Sequence, residues 1–179
     1  LAFTATAGQK TRNQILEKLN IQDAKVFVEV VDRPNIALAR LRSHSDEKKI
    51  NLIQKLFLEM RSKTDGKALI FVPTKKEGEK VYQLAESVGL HVEFFHGKLK
   101  PSTKDFLSAR FGRSLESKLD LLICTNAFGM GMDIPNVRLV FHWQHPASTE
   151  DYLQEFGRAG RDGKQSLAVL FTSRSDTKT

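Results

Sequence analysis

Short apolar runs alternate along the chain with longer amphipathic stretches. Several of these runs contain no polar residue, as at residues 121–123. Such unbroken runs are typical of strands in a parallel sheet that is buried on both faces. The pattern predicts strands at residues 25–31, 68–72, 92–95, 119–124, 139–141 and 167–171.

The stretches between these runs have the spacing and end signals of helices. Residues 46–61 carry Ile50, Ile53 and Phe57 at helical intervals. A shorter helix is predicted at residues 11–19. Other helices are indicated by capping residues, namely Thr74 with Glu77 and a stop at Gly89, Ser102 with Asp105, and Ser148 with Asp151. The alternation predicts a three-layer α/β domain with a mostly parallel central sheet.

Residues 1–30 precede this regular alternation, and a turn-rich segment follows at residues 32–35. We expect residues 1–30 to be the end of a preceding domain with a linker, and residues 31–179 to form the α/β domain.

The segment at residues 152–163 is the strongest candidate for chemistry. In a helix continuing from Ser148, Gln154, Arg158 and Arg161 would share one face, and Tyr152, Leu153 and Phe156 would point to the core. Two guanidinium groups flanked by small glycines suit a phosphate chain. The alternative is a solvated basic helix end, where cations also favour the helix dipole.

A second candidate segment, residues 125–136, directly follows a predicted strand. Its hydroxyl, amide and glycines suit a loop that presents backbone N–H groups to phosphate. Asp133 is predicted to accept a bond from a sugar hydroxyl or to hold a nearby arginine. The alternative is an ordinary loop, and for Phe128, Met130 and Met132 we favour simple packing. Because ligands dock at the carboxyl ends of parallel strands, we expect the chemistry there.

Charge and cysteine usage narrow the class of protein. The 28 Lys and Arg residues exceed the 21 Asp and Glu residues, giving a net charge of +7 that suits a polyanion without identifying one. The single cysteine, Cys124, excludes an intramolecular disulfide and a multi-cysteine zinc cluster, and is expected in the core. The histidines lack ligand spacing, so we expect no metal site. A lone cysteine also suits a reducing, intracellular compartment. No apolar run approaches the ~20 residues that span a bilayer, so we expect no membrane partner.

Two of these segments together resemble a known family. AFGMGMDIPNV with YLQEFGRAGRDG resembles motifs V and VI of superfamily 2 helicases, specifically the RecQ family of DNA helicases. The first seven residues resemble motif III, which closes the first RecA-like lobe, and residues 32–35 resemble the link between lobes. Residues 68–72 and 95–99 resemble motif IV and a loop that contacts the nucleic-acid backbone. The resemblance implies the second RecA-like lobe of an ATP-dependent DNA helicase, acting in DNA repair and recombination.

The resemblance also implies roles for individual residues. Arg161 matches the arginine finger that reaches the γ-phosphate, worth about 10³–10⁵ in rate in related systems, and Arg158 matches its partner. The implied positions for ATP binding or coupling are Gln154, Asp133, Gly131, Thr4 and Thr6. The implied DNA contacts are Thr125, Asn126, Gly97, Lys98, Arg33 and Asn35.

The chain has no G-x-x-x-x-G-K-[ST] phosphate loop and no Asp-Glu-x-His box. The resemblance therefore implies that ATP and Mg²⁺ are held mainly by a first lobe preceding Leu1, with no zinc in this chain. Its partners would be single-stranded and duplex DNA and that first lobe, in a nucleus or a bacterial nucleoid. The isolated chain is predicted to be inactive.

Two alternatives remain at this stage. One is a non-catalytic RecA-like module that binds nucleic acid or protein, against which the intact pair Arg158 and Arg161 argues. The other is an RNA helicase lobe, where relatives often have His at the position of Gln154.

Overall fold

Helices and strands alternate in the computed structural model, which describes residues 8–27, 32–112, 119–128 and 133–173. The helices are α1 (Gln9–Lys18), α2 (Asp46–Lys63), α3 (Lys75–Ser87), α4 (Pro101–Gly112) and α5 (Thr149–Phe156). The strands are β1 (Ile36–Arg42), β2 (Lys67–Phe71), β3 (Glu93–Phe95), β4 (Leu121–Cys124), β5 (Val137–His142) and β6 (Ser166–Thr172).

The six strands form one sheet in the order β1-β6-β5-β2-β4-β3, and every described pair is parallel. β2, β4 and β5 are buried along their whole length. Strands covered on both faces favour apolar side chains, and β4 is wholly apolar, whereas β2 begins with Lys67 and β5 contains Arg138 and His142.

Two apolar clusters cover the two faces of the sheet. On one face, α2 and α3 contribute Ile53 and Val81, which have no exposed surface. On the other face, α4 and the segment before β5 contribute Phe111, Phe128 and Ile134. The predicted three-layer, RecA-like α/β fold is therefore confirmed.

The first strand of the sheet is not where the apolar pattern places it. Residues 25–27 lie in no strand, and residues 28–31 fall outside the described part of the chain. The sheet instead begins with β1, which the sequence pattern missed. β1 lies at the edge of the sheet and buries only Ile36, so its side chains show no alternation of buried and exposed positions. The other five predicted strands correspond to β2 through β6 with small shifts at their ends.

The helix predicted from Ser148 ends earlier than expected. α5 stops at Phe156, and residues 157–162 form turns, so the prediction that Gln154, Arg158 and Arg161 share a helical face is wrong. Gly160 adopts a φ of +54°, and its N–H donates to the carbonyl of Val137 at 2.8 Å instead of continuing the helix. Leu153, predicted to face the core, is 45% exposed.

The division of the chain at residue 30 stays a prediction. α1 buries none of its residues, and no helix in the described ranges is long and apolar enough to cross a membrane.

Candidate functional site

The parallel topology places the candidate residues at the two opposite ends of the strands. We call these ends the carboxyl edge and the amino edge of the sheet. Thr125 follows the carboxyl end of β4, whereas Asp133 shortly precedes the amino end of β5. Because β4 and β5 are parallel, the chain must return along the sheet between them, a distance of about 13 Å for a strand of four residues. Asp133 therefore lies away from the carboxyl edge, where the sequence led us to expect the chemistry.

Gly97, Lys98, Thr125 and Asn126 meet at the carboxyl edge, and we call them the strand-end patch. The backbone N–H of Thr125 donates to the carbonyl of Phe95 at 3.1 Å, which joins the ends of β4 and β3. A Cβ atom on Gly97 would lie 3.6 Å from the Cβ of Ala127. Lys98 and Asn126 are exposed, whereas Thr125 is 8% exposed. The sequence thus predicted four residues that the fold does bring together.

Arg158 and Arg161 lie on a loop, residues 157–164, which we call the arginine loop. The loop is fixed to the amino edge of the sheet, where the N–H of Asp162 donates to the carbonyl of Pro135 at 3.4 Å. Arg138, at the start of β5, is 7% exposed and donates to the Asp162 carboxylate and to Ser166 Oγ, the latter at 3.0 Å. Sequence reasoning missed this anchor because Arg138 lies 24 and 28 positions along the chain from Asp162 and Ser166.

Asp162 is ionised in this anchor. Burial raises its pKa, but the hydrogen bonds from Arg138 and from the backbone N–H of Lys164 outweigh burial and hold the pKa below its usual value. The ion pair with Arg138 is therefore retained until the pH falls below the usual range of an aspartate.

Arg161 reaches solvent from the arginine loop. Its Nη1 donates to Asp133 Oδ1 at 3.0 Å, and the two side chains are 35% and 81% exposed. This is the second of the two roles expected for Asp133, namely holding a nearby arginine. An exposed ion pair of this kind contributes about 0–1 kcal/mol, so a bound phosphate would readily compete with the carboxylate.

Arg158 occupies the opposite environment. It is 8% exposed, and burial lowers its pKa, with the positive charge of Arg161 acting in the same direction. Arg158 is therefore enclosed by the fold, while Arg161, three residues on, faces outward.

A buried cluster lies beneath α5 that the sequence did not predict. His142, at the end of β5, is 1% exposed and has its Nε2 3.1 Å from Glu155 Oε2. Its ring lies 4.9 Å from the ring of Tyr152. Cys124 is fully buried, as predicted, and burial raises the pKa of its thiol. Trp143, the residue after β5, is also fully buried.

Arg33 and Asn35, expected to contact DNA, lie beside the arginine loop and apart from the strand-end patch. Arg33 donates to the carbonyls of Gly157, Ala159 and Gly160 at 3.1, 2.6 and 2.9 Å. The amide of Asn35 donates to the carbonyl of Gly160 at 2.8 Å. A DNA contact by either residue is untested, and the donors named here are engaged within the chain.

Of the remaining predicted site residues, Gln154 is exposed on α5. Thr4, Thr6 and Gly131 fall outside the described residues. Within the described ranges, no group of three or more His, Cys, Asp or Glu side chains is placed to hold a metal ion.

Comparison with known proteins identifies the family. Residues 48–163 match the model of the helicase conserved C-terminal domain. The chain is 33% identical to the probable ATP-dependent DNA helicase RecS of Bacillus subtilis, over 98% of this chain and 34% of that protein. It is 32% identical to the ATP-dependent DNA helicase RecQ of Pasteurella multocida, over 98% of this chain and 26% of that protein. The chain thus spans about a third or less of the length of these relatives.

Solved structures agree with this family. Dbp5 of S. cerevisiae bound to RNA and ADP BeF3 superposes with a TM-score of 0.77 at 27% identity, covering 94% of this chain and 44% of that one. Mss116p DEAD-box helicase domain 2 bound to an RNA duplex gives a TM-score of 0.66 at 27% identity, covering 78% of this chain and 55% of that one. The fold, the matched domain and the sequence relatives together show that this chain belongs to the family of helicase conserved C-terminal domains and is of the RecQ type.

Proposed function

We propose that the chain is the second motor lobe of an ATP-dependent DNA helicase and supplies the arginine finger, Arg161. The observation that carries the proposal is the position of Arg161. Its guanidinium is partly exposed on a loop that is anchored to the sheet, and it faces a carboxylate that a phosphate would replace. A planar guanidinium is suited to the charge that develops on the equatorial oxygens of a transferred phosphoryl group.

The described residues fit one side of an ATP site. ATP, bound with Mg²⁺, supplies the phosphoryl group that is transferred to water. Arg161 would bind and orient its terminal phosphate, and Asp133 would hold the guanidinium in place before nucleotide binds. The phosphate loop and the metal ligands would come from a first lobe of the same polypeptide, across a cleft.

The strand-end patch would bind the sugar–phosphate backbone of single-stranded DNA at the other edge of the sheet. Lys98 offers a positive charge, and Asn126 and the backbone around Gly97 offer donors. Binding through these groups would be nearly independent of sequence and would weaken as salt rises. Arg158, enclosed between α5 and the sheet, would couple movements of the arginine loop to the rest of the lobe.

An RNA helicase lobe is the second candidate, because the two solved structures named above are bound to RNA. The curated relatives named above are DNA helicases, which favours DNA. Stimulation of ATP hydrolysis by single-stranded DNA and by single-stranded RNA, measured side by side, separates the two. A non-catalytic binding module would show no stimulated hydrolysis with either.

The proposal is tested with the complete polypeptide that contains this lobe. Arg161→Ala should lower the kcat of DNA-stimulated ATP hydrolysis by about 10³-fold or more, as removal of an arginine finger does elsewhere. Affinity for single-stranded DNA, measured by fluorescence anisotropy, should change little, because Arg161 lies at the opposite edge from the strand-end patch.

The matched control is Arg40→Ala, which removes the same charge from the exposed edge strand β1. If Arg161→Ala lowers the affinity for single-stranded DNA as strongly as it lowers kcat, the arginine is a DNA contact instead. Robust ATP hydrolysis by the 179-residue chain alone would contradict the half-site proposal.

A further inference from the structure

Arg33 and Asn35, which precede β1, bind the backbone of the arginine loop. Arg33 lies 124 positions along the chain from Gly157, and no local sequence signal connects the two. Three carbonyls of the loop nevertheless accept hydrogen bonds from the terminal nitrogens of this one guanidinium. Three hydrogen bonds from one side chain to one loop indicate that this side chain fixes the backbone of the loop.

The end of α5 creates the need for these donors. The carbonyls of Gly157, Ala159 and Gly160 lie in the turns after α5, where the hydrogen-bond ladder of the helix no longer supplies a donor. An arginine carries five N–H donors in a fixed planar fork, and its charge strengthens each bond. Arg33 therefore matches the carbonyls of Gly157, Ala159 and Gly160 in a way that a lysine cannot.

Asn35 completes the contact at Gly160. A Cβ atom on Gly160 would lie 2.5 Å from Asn35 Nδ2, so this approach exists only because the loop has a glycine there. The same amide also donates to the carbonyl of Lys164 at 3.0 Å, and the carbonyl of Asn35 accepts from the N–H of Ser166 at 2.9 Å. The segment is thus joined both to the loop and to the start of β6.

These bonds fix the backbone on both sides of the site arginines. Gly157 and Ala159 flank Arg158, and Gly160 directly precedes Arg161. We infer that Arg33 and Asn35 are positioning residues, which hold the arginine loop in the geometry needed for ATP hydrolysis. This inference rests on the proposed function, and it assigns the two residues to the nucleotide side of the lobe and not to DNA.

The catalytic test uses Arg33→Ala, Arg33→Lys and Asn35→Asp in the complete polypeptide. Displacing a catalytic group by about 1 Å costs up to about 10²-fold in rate, so we expect kcat for DNA-stimulated ATP hydrolysis to fall by about 10–10²-fold. The KM for ATP and the affinity for single-stranded DNA should be unchanged. Arg33→Lys should lower kcat as well, because a lysine lacks the planar fork of donors. A contact with a DNA phosphate would need only the positive charge, which this variant keeps. Arg40→Ala, on the exposed edge strand, is the control.

A second readout reports on the loop without ATP. Arg161 and Lys164 are exposed in the arginine loop, and trypsin cleaves after both residue types. We expect faster cleavage at these two sites in Arg33→Ala and Asn35→Asp, with unchanged cleavage after Lys76 on α3. Faster cleavage at all three sites would report global unfolding of Arg33→Ala, in which case the near-isosteric Asn35→Asp decides.

The outcomes are distinguishable. Unchanged kcat and unchanged loop cleavage in both Arg33→Ala and Asn35→Asp would overturn the inference. Weakened DNA binding with unchanged loop cleavage would overturn it in favour of a DNA contact. If Arg161→Ala retains full activity, the proposed function itself fails, and faster loop cleavage in Arg33→Ala would then show a contact without a catalytic role.

Discussion

At the scale of single residues, the backbone conformation of the arginine loop depends most on Gly160. Gly160 has a φ of +54°, and a Cβ there would meet Asn35 Nδ2, the Lys164 carbonyl and Ser166 Oγ within 2.7 Å. Two of these three atoms belong to side chains that hold the loop or the start of β6. The residue is therefore constrained both by its backbone conformation and by its surroundings.

Gly160→Ala should consequently destabilise the fold by about 3 kcal/mol, from left-handed strain together with overpacking. Gly163→Ala is the matched control, since Gly163 has a φ of +79° but nothing within 4 Å of the added methyl. That variant should lose about 1 kcal/mol, from strain alone. Urea unfolding measures both, and equal losses would mean that the contacts around Gly160 contribute nothing.

At the scale of elements, the parallel pairing of β3 with β4 builds the strand-end patch. The register aligns Phe95 with Cys124, so the loops that follow the two strands leave the sheet side by side. Lys104, on α4, donates to the carbonyl of Gly97 at 2.6 Å and holds the first loop in place. Lys98 is thereby presented to solvent next to Asn126.

We expect Lys98→Ala in the complete polypeptide to weaken binding of single-stranded DNA to a similar extent for all sequences. The slope of log affinity against log salt should fall by about 1, as for loss of one phosphate contact. Lys63→Ala removes the same charge from the exposed end of α2, which lies just before the amino end of β2, and should leave the slope unchanged. Equal effects of both variants would indicate only a response to net charge.

At the scale of the whole molecule, the parallel sheet is enclosed by helices on one face and by α4 and the returning segments on the other. Cys124, the last residue of β4, has no exposed surface in this core, and burial raises the pKa of its thiol. It is the sole cysteine of the chain, so its reactivity reports directly on opening of the core.

The thiol should resist iodoacetamide in the native protein and react rapidly in urea. Because the unfolded thiol loses its proton above about pH 8.5 while the folded one keeps it, unfolding releases a proton at alkaline pH. The native protein should therefore lose about 1.4 kcal/mol per pH unit there relative to Cys124→Ala. Identical pH slopes of the two unfolding free energies would contradict this.

Elements whose burial is uniform or periodic can be predicted from the sequence alone. β2, β4 and β5 are buried on both faces and therefore contain apolar runs, at residues 68–71, 121–124 and 139–141. α3 and α5 follow the N-cap residues Thr74 and Ser148, whose side chains accept from the backbone N–H three residues on, as the capping patterns predict. β1 escaped detection because an edge strand that buries one residue carries no such signal.

For the candidate site, sequence motifs indicated the residues, whereas only the tertiary structure decided their arrangement. Local spacing suggested one helical face for Arg158 and Arg161, but contacts of Gly160 with Val137 and Asn35 end the helical path. The opposite placement of Thr125 and Asp133 follows from the return that parallel strands require. Arg33 binds carbonyls of the arginine loop that lie 124 or more positions along the chain. These contacts form only when β1 pairs with β6, which brings the two segments together.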